Sequence, residues 1–202
     1  MQRKVVNYSV KTAGVFIWAV CSALGANVDW PVYLGDKSSS HFSELKQINR
    51  ENVARLETAW EFHSGDGRKD NRSQIQCNPL IIEGVLYGTS PLLKLLALDA
   101  ATGRERWRFD PFATNPAGSS LGVNRGVVFW QKEKEQRILF TAGQRLYAIH
   151  AENGKPVTTF GEQGSVDLRA GLGRDPEKQF VLANTPGVIY RDLLILGTRV
   201  SE

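Results

Sequence analysis

Residues 97–107 read Ala97-Leu98-Asp99-Ala100-Ala101-Thr102-Gly103-Arg104-Glu105-Arg106-Trp107. A weaker echo follows as Ala148-Ile149-His150-Ala151-Glu152-Asn153-Gly154-Lys155-Pro156-Val157, which starts 51 residues after Ala97. The flanks repeat as well. GVLYGTSPLLKLLALDAATG (84–103) and RILFTAGQRLYAIHAENG (137–154) each read as strand, turn, strand ending in Ala, then a turn closed by Gly. A period of about 50 residues with about four strands per unit is the signature of a propeller blade. A blade is apolar on both faces, so it needs a neighbour on each side. The expectation is therefore an all-β chain, a partial β-propeller of about three blades.

Working outward, the strands are short and evenly punctuated. Pro79-Leu80-Ile81-Ile82, the turn Glu83-Gly84 and Val85-Leu86-Tyr87-Gly88 form a hairpin pattern. Leu92 to Leu98 is an apolar run with one Lys, and Glu105 to Phe109 alternates. Gly126–Trp130, Arg137–Thr141 and Arg145–Ile149 are three further strands, with Lys132-Glu133-Lys134-Glu135 as a solvated hairpin end. Val188-Ile189-Tyr190, Arg191-Asp192 and Leu193–Leu196 repeat the hairpin logic. Towards the N-terminus, Leu45, Ile48, Val53 and Leu56 fall at roughly helical spacing and predict a short helix or two turns. Thr58 to His63 alternates and predicts a strand.

The chain has 202 residues, 42% of them hydrophobic, and 25 Lys+Arg against 21 Asp+Glu give a net charge of +4. Three of the cations, Arg3, Lys4 and Lys11, lie in the first 26 residues, which hold no acid. A nucleic-acid-binding domain carries its basic footprint on the fold itself, so nucleic acid is not an expected partner. Residues 1–26 read as a secretory signal peptide. A positive start precedes the uncharged stretch Ala13 to Ala26, and Ala23, Gly25 and Ala26 supply small residues near a cleavage point. The folded domain is then 27–202. No run is long and apolar enough for an ordinary span of about 20 residues. Past the leader only Cys77 remains, which reads as a small core residue. His41, His63 and His150 lack metal-ligand spacing.

At Ala97 to Trp107, the pattern Ala-x-Asp-x-x-x-Gly-x-x-x-Trp resembles the tryptophan-docking motif of the pyrroloquinoline-quinone (PQQ) dehydrogenases, in which Trp107 would wedge between neighbouring blades. Other segments resemble that family in order: residues 29–60 as its N-terminal approach, QCNPLIIEGVLYGTSP (76–91) as a first cofactor-side strand pair, VNRGVVFW (123–130) as the segment with its cofactor-binding arginine, and residues 158–168 and 184–202 as the next blades. The likeness is to the glucose, quinate and polyol-oxidising branch. Ser119-Ser120 stand where alcohol-oxidising relatives carry adjacent cysteines. The resemblance implies an eight-bladed quinoprotein propeller, of which this chain would be the N-terminal portion. It also implies PQQ and Ca²⁺ as cofactors, a sugar or other alcohol as substrate, and a quinone or cytochrome c as electron acceptor. Periplasmic location, compatible with membrane association, belongs to the same expectation.

By the same resemblance Arg125 would grip a PQQ carboxylate, and a guanidinium suits that task because it offers two parallel donors. Read alone, Arg125 is an arginine on a turn. Gln76 would lie near the quinone, where an amide can both donate and accept. Asn184 and Arg199 match positions that often hold a PQQ-contacting Ser or Thr in relatives, and would be cofactor-binding residues by the same resemblance. Glu202 matches a Ca²⁺-ligating Glu, and hard cations take oxygen ligands. The family's catalytic Asp and its remaining metal ligands would follow Glu202, so no catalytic base is expected here. The other reading is a non-catalytic propeller scaffold of the cell envelope. Such a scaffold explains the 97–107 repeat but neither VNRGVVFW nor Gln76.

Overall fold

A computed structural model describes residues 28–70, 72–114 and 122–200. The expected signal peptide, Ser119-Ser120 and Glu202 lie outside these. The regular secondary structure of the described chain is almost wholly β. Leu80–Ile82 (β1), Val85–Thr89 (β2), Leu95–Asp99 (β3) and Glu105–Phe109 (β4) form one antiparallel sheet in sequence order. Val128–Lys132 (β5), Glu135–Ala142 (β6), Arg145–His150 (β7) and Ser165–Asp167 (β8) form a second of the same order. Past these, Val181–Leu182 (β9) pairs with Arg199–Val200 (β12), and Val188–Tyr190 (β10) pairs with Leu193–Ile195 (β11). Two units are thus complete four-stranded blades and a third is begun by its hairpin.

Local chemistry explains the hairpins. Glu83 and Gly84 both take positive φ, at 48° and 75°. That is the geometry whose twist matches the flanking strands of a two-residue loop. The 97–107 turn is tied by Asp99, whose Oδ1 accepts from the Thr102 N–H at 3.1 Å and the Thr102 hydroxyl at 2.9 Å.

The core lies between the two sheets. Leu80, Tyr87, Leu95 and Ala97 of the first meet Ile138, Phe140, Tyr147 and Ile149 of the second. Phe109 meets Phe140 edge-on with ring centroids 6.1 Å apart, and Phe140 stacks on Tyr147 at 5.4 Å. On the far side of the second sheet, Leu139, Ala148 and Val157 pack against Ile189 and Leu194 of the β10–β11 hairpin. The second blade is therefore covered on both faces, as radial stacking requires.

Tryptophans lock this stack twice. The Trp107 indole N–H donates to the Ala151 carbonyl at 3.0 Å, and its ring lies against Gly154, where an added Cβ would stand 2.7 Å from the indole. One repeat earlier, Trp60 donates to the Ala100 carbonyl at 3.1 Å and covers Gly103. The Asp99–Gly103 and His150–Gly154 turns are thus equivalent docking seats.

One expectation in the N-terminal segment gives way and another is met in its shorter form. Thr58–His63 forms no strand. A strand needs a ladder partner, and among the described residues this segment is held instead by the Trp60 anchor and by Arg108, which donates to the Ser64 carbonyl at 2.8 Å. The short helix or two turns expected around Leu45–Leu56 are a turn at residues 50–52 running into one 3₁₀ turn, Val53–Arg55. Here the Asn52 side chain accepts from the Asn49 N–H and donates to the Gln47 carbonyl. Such side-chain bonds compete with helix hydrogen bonding. The apolar side chains at 45, 48, 53 and 56 also stay exposed, with no core to reward a longer helix.

Candidate functional site

The segments leading into β1, β5 and β10 are the first strands of three successive units, and they converge at one end of the stack. The Asn78 N–H donates to the Arg125 carbonyl at 2.9 Å, and the Arg125 N–H donates to the Asn184 carbonyl at 2.7 Å. The Asn78 carboxamide adds a 3.3 Å bond to the same Arg125 carbonyl, and Asn78 and Gly126 form a parallel bridge. The backbone of residue 125 is thus clamped between two neighbouring units. The packing is tight at Gly126, where a Cβ would stand 2.8 Å from the Tyr33 ring.

This places three of the expected site positions together. Arg125 is exposed, and its guanidinium makes no ion pair or hydrogen bond among the described residues. Gln76, two residues before Asn78, is also exposed. Asn184 is half-buried, and its Oδ1 is buried without a hydrogen-bond partner among the described residues. Such an atom costs free energy unless something donates to it.

Arg199 stands apart from this trio. It faces Leu182 across the β9–β12 pair, and its guanidinium sits 5.7 Å from the Phe180 ring centroid. The described residues hold no cluster of three or more His, Cys, Asp or Glu suited to a metal ion.

Several charged groups at this end of the sheets are paired, whereas the Asp66 carboxylate accepts from the Ser90 hydroxyl and makes no ion pair among the described residues. Lys94 pairs with Asp110 at 2.9 Å. Arg169 pairs with Asp167 at 2.8 Å and, with further bonds to the same carboxylate, holds it below the usual carboxylate range. Arg145 donates to the Ser165 hydroxyl at 3.0 Å and lies 3.5 Å from Glu162. A cleft of about 870 Å³ opens beside the β6–β7 turn, lined by Phe109, Phe112, Tyr147, Phe180, Asp110 and Arg145. Arg125 is an exposed cation with no carboxylate partner among the described residues.

Cys77 fits the core reading. Its sulfur packs on Gly88, and burial pushes its thiol up from the ordinary range. Sequence reasoning passed over Asn78, Asn124 and Thr141, whose side chains organise this end. The signal for Asn124 was its place beside Arg125 in VNRGVVFW. Nothing local marked Thr141.

The family model for the glucose/ethanol/alcohol dehydrogenase PQQ β-propeller domain matches residues 30–202. Quinoprotein glucose dehydrogenase of Escherichia coli (strain K12) is 30% identical over 88% of this chain and 24% of its own length. Quinoprotein glucose dehydrogenase A of Acinetobacter calcoaceticus is 33% identical over 88% of this chain and 25% of its own length. The crystal structure of quinohemoprotein alcohol dehydrogenase from Comamonas testosteroni superposes with a TM-score of 0.63 at 25% identity, covering 85% of this chain and 23% of that one. The chain spans about a quarter of the length of these relatives.

Proposed function

The chain belongs to the PQQ β-propeller family of glucose, ethanol and alcohol dehydrogenases, and from that premise we propose that it supplies part of the cofactor cradle of a dehydrogenase oxidising a sugar or other alcohol. The protein is exported to the periplasm by residues 1–26, its folded part is 27–202, and its electrons leave to a quinone or a cytochrome c. No helix among the described residues is long and apolar enough to cross a membrane.

The residues present fit PQQ. A tricarboxylate needs fixed cations and hydrogen-bonding groups, and Arg125 offers an exposed guanidinium on a backbone clamped from both sides. The Asn184 and Gln76 carboxamides each carry an NH₂ group that can donate to a carboxylate, and Gln76 stands on the neighbouring unit. When bound, PQQ supplies the ortho-quinone that accepts the substrate's hydride. This chain's own part is to bind and orient. Arg125 would hold a carboxylate through paired N–H donors, and Gln76 and Asn184 would bond along the rim. Arg199 serves this cradle only if its guanidinium leaves the Phe180 ring. Glu202 would contribute one oxygen ligand to Ca²⁺.

The observation that carries this reading is the Arg125 guanidinium, unpaired among the described residues and held where three units meet. It is tested by titrating the 202-residue chain with PQQ and following tryptophan fluorescence. Arg125→Ala should weaken binding by about 1.5–3 kcal/mol, the range for a hydrogen bond to a charged group, or about ten- to a hundredfold. Unchanged affinity would remove Arg125 from the cradle. Absence of PQQ binding by the wild-type chain would favour the scaffold.

A further inference from the structure

The residue before Arg125 is buried, polar and fully engaged. Asn124 is 4% exposed. Its Nδ2 donates to the Thr141 carbonyl on β6 at 3.1 Å, and its Oδ1 accepts from the Gly126 N–H at 2.9 Å. The carboxamide therefore bridges across Arg125 from residue 124 to residue 126 and ties that arc to the second sheet. It acts beyond the end of the β5–β6 ladder, which begins at Val128 opposite Leu139. Thr141 is itself 5% exposed, and its hydroxyl donates to the Ala183 carbonyl at 2.6 Å. One buried chain of hydrogen bonds thus runs from the third unit through Thr141 and Asn124 to the backbone on either side of Arg125. The Arg125 N–H and carbonyl are occupied by Asn184 and Asn78. Freedom at this position begins only at the side chain.

We propose that Asn124 is a positioning residue for Arg125: its buried carboxamide fixes the backbone arc that presents the guanidinium at the meeting point of the three units. The functional consequence rests on the reading of Arg125 as a PQQ-carboxylate anchor, but the mechanical claim does not. A carboxamide is suited to the task because one end must donate and the other accept. In Asn124→Asp the acceptor towards Gly126 survives, while an oxygen faces the Thr141 carbonyl. In Asn124→Ala both the Gly126 N–H and the Thr141 carbonyl lose their side-chain partner.

The test is made on the 202-residue chain in two arms. Amide hydrogen exchange comes first. Asn124→Ala should speed exchange at Gly126 by about tenfold or more and leave the β1–β2 amides at wild-type rates. Unchanged exchange at Gly126, or equal acceleration throughout both sheets, overturns the proposal. Should the Ala variant fail to fold, Asn124→Leu, which keeps the volume but removes both side-chain bonds, is read in the same way.

The second arm is a cycle in PQQ affinity over wild type, Asn124→Ala, Arg125→Ala and the double variant. Asn124→Ala should weaken PQQ binding about tenfold when Arg125 is present and have no effect when it is absent. Equal weakening in both backgrounds means a general structural role and overturns the proposal. If the wild-type chain binds no PQQ, the proposed function fails, and hydrogen exchange alone decides whether Asn124 positions Arg125.

Discussion

Asp99 shows how much one side chain organises in this chain. It closes the turn of the repeat through Thr102 and takes the Arg106 guanidinium at 3.0 Å. The arginine first, then the threonine hydroxyl, hold its carboxyl at about 2, below the ordinary 3.8. A carboxyl depressed on folding stabilises the native state above its unfolded pKa, and that contribution is lost as pH falls towards the folded value. Stability should therefore drop between about pH 4 and pH 2, and Asp99→Asn should flatten that part of the profile. Chemical denaturation of both proteins at pH 6 and pH 2.5 checks this, and an equal drop in the variant would show that other carboxylates carry it. Asp99 and its turn were legible in the sequence, because an Asp four residues before a Gly needs only its own neighbours to act.

At the scale of the element, the blades are joined by a tryptophan set into a glycine seat. Trp107→Phe keeps the apolar face and loses the bond to Ala151, at a cost of about 0.5–1.5 kcal/mol. Gly154 sits at φ 72° under the indole, so Gly154→Ala adds about 1–2 kcal/mol of backbone strain to the clash. The two sites touch, so the effects should not add. Gly154→Ala should cost less beside Trp107→Ala, where the ring no longer fills the seat. Urea denaturation of the single and double variants measures this, and strict additivity would mean that the indole is not seated on Gly154. The Trp107 wedge was implied by the family resemblance of residues 97–107. The matching role of Trp60 was not, because its segment alternates like a strand and only the finished stack shows that it docks without a ladder.

For the whole molecule, the β10–β11 hairpin has an inner and an outer face. Ile189 and Leu194 lie opposite each other and pack on the second sheet, whereas Val188, Tyr190, Leu193 and Ile195 point the other way and are 56–64% exposed. Phe42, Leu45 and Ile48 are exposed in the N-terminal segment. Apolar faces of this kind drive association. The 202-residue chain should self-associate as its concentration rises, and Leu193→Lys with Ile195→Lys should shift the equilibrium towards monomer. Sedimentation velocity over a hundredfold concentration range decides it, and a wild-type chain monomeric throughout would count against an adhesive face.

By itself the sequence determined the all-β class, the hairpin turns and the 51-residue repeat, because each rests on local periodicity or turn chemistry, whereas the tryptophan wedge was implied by the family resemblance of residues 97–107. Only the tertiary structure decided that Asn78, Arg125 and Asn184, separated by 47 and 59 residues, share one backbone ladder. Only it decided that the Thr141 hydroxyl and the Asn124 carboxamide form a buried relay beneath that ladder. The physical reason is that a hydrogen bond between strands of different blades depends on how the sheets stack. That stacking is set by the summed apolar packing of Leu80, Ile138, Phe140 and their neighbours, and no pattern within a single segment records which polar groups it brings face to face.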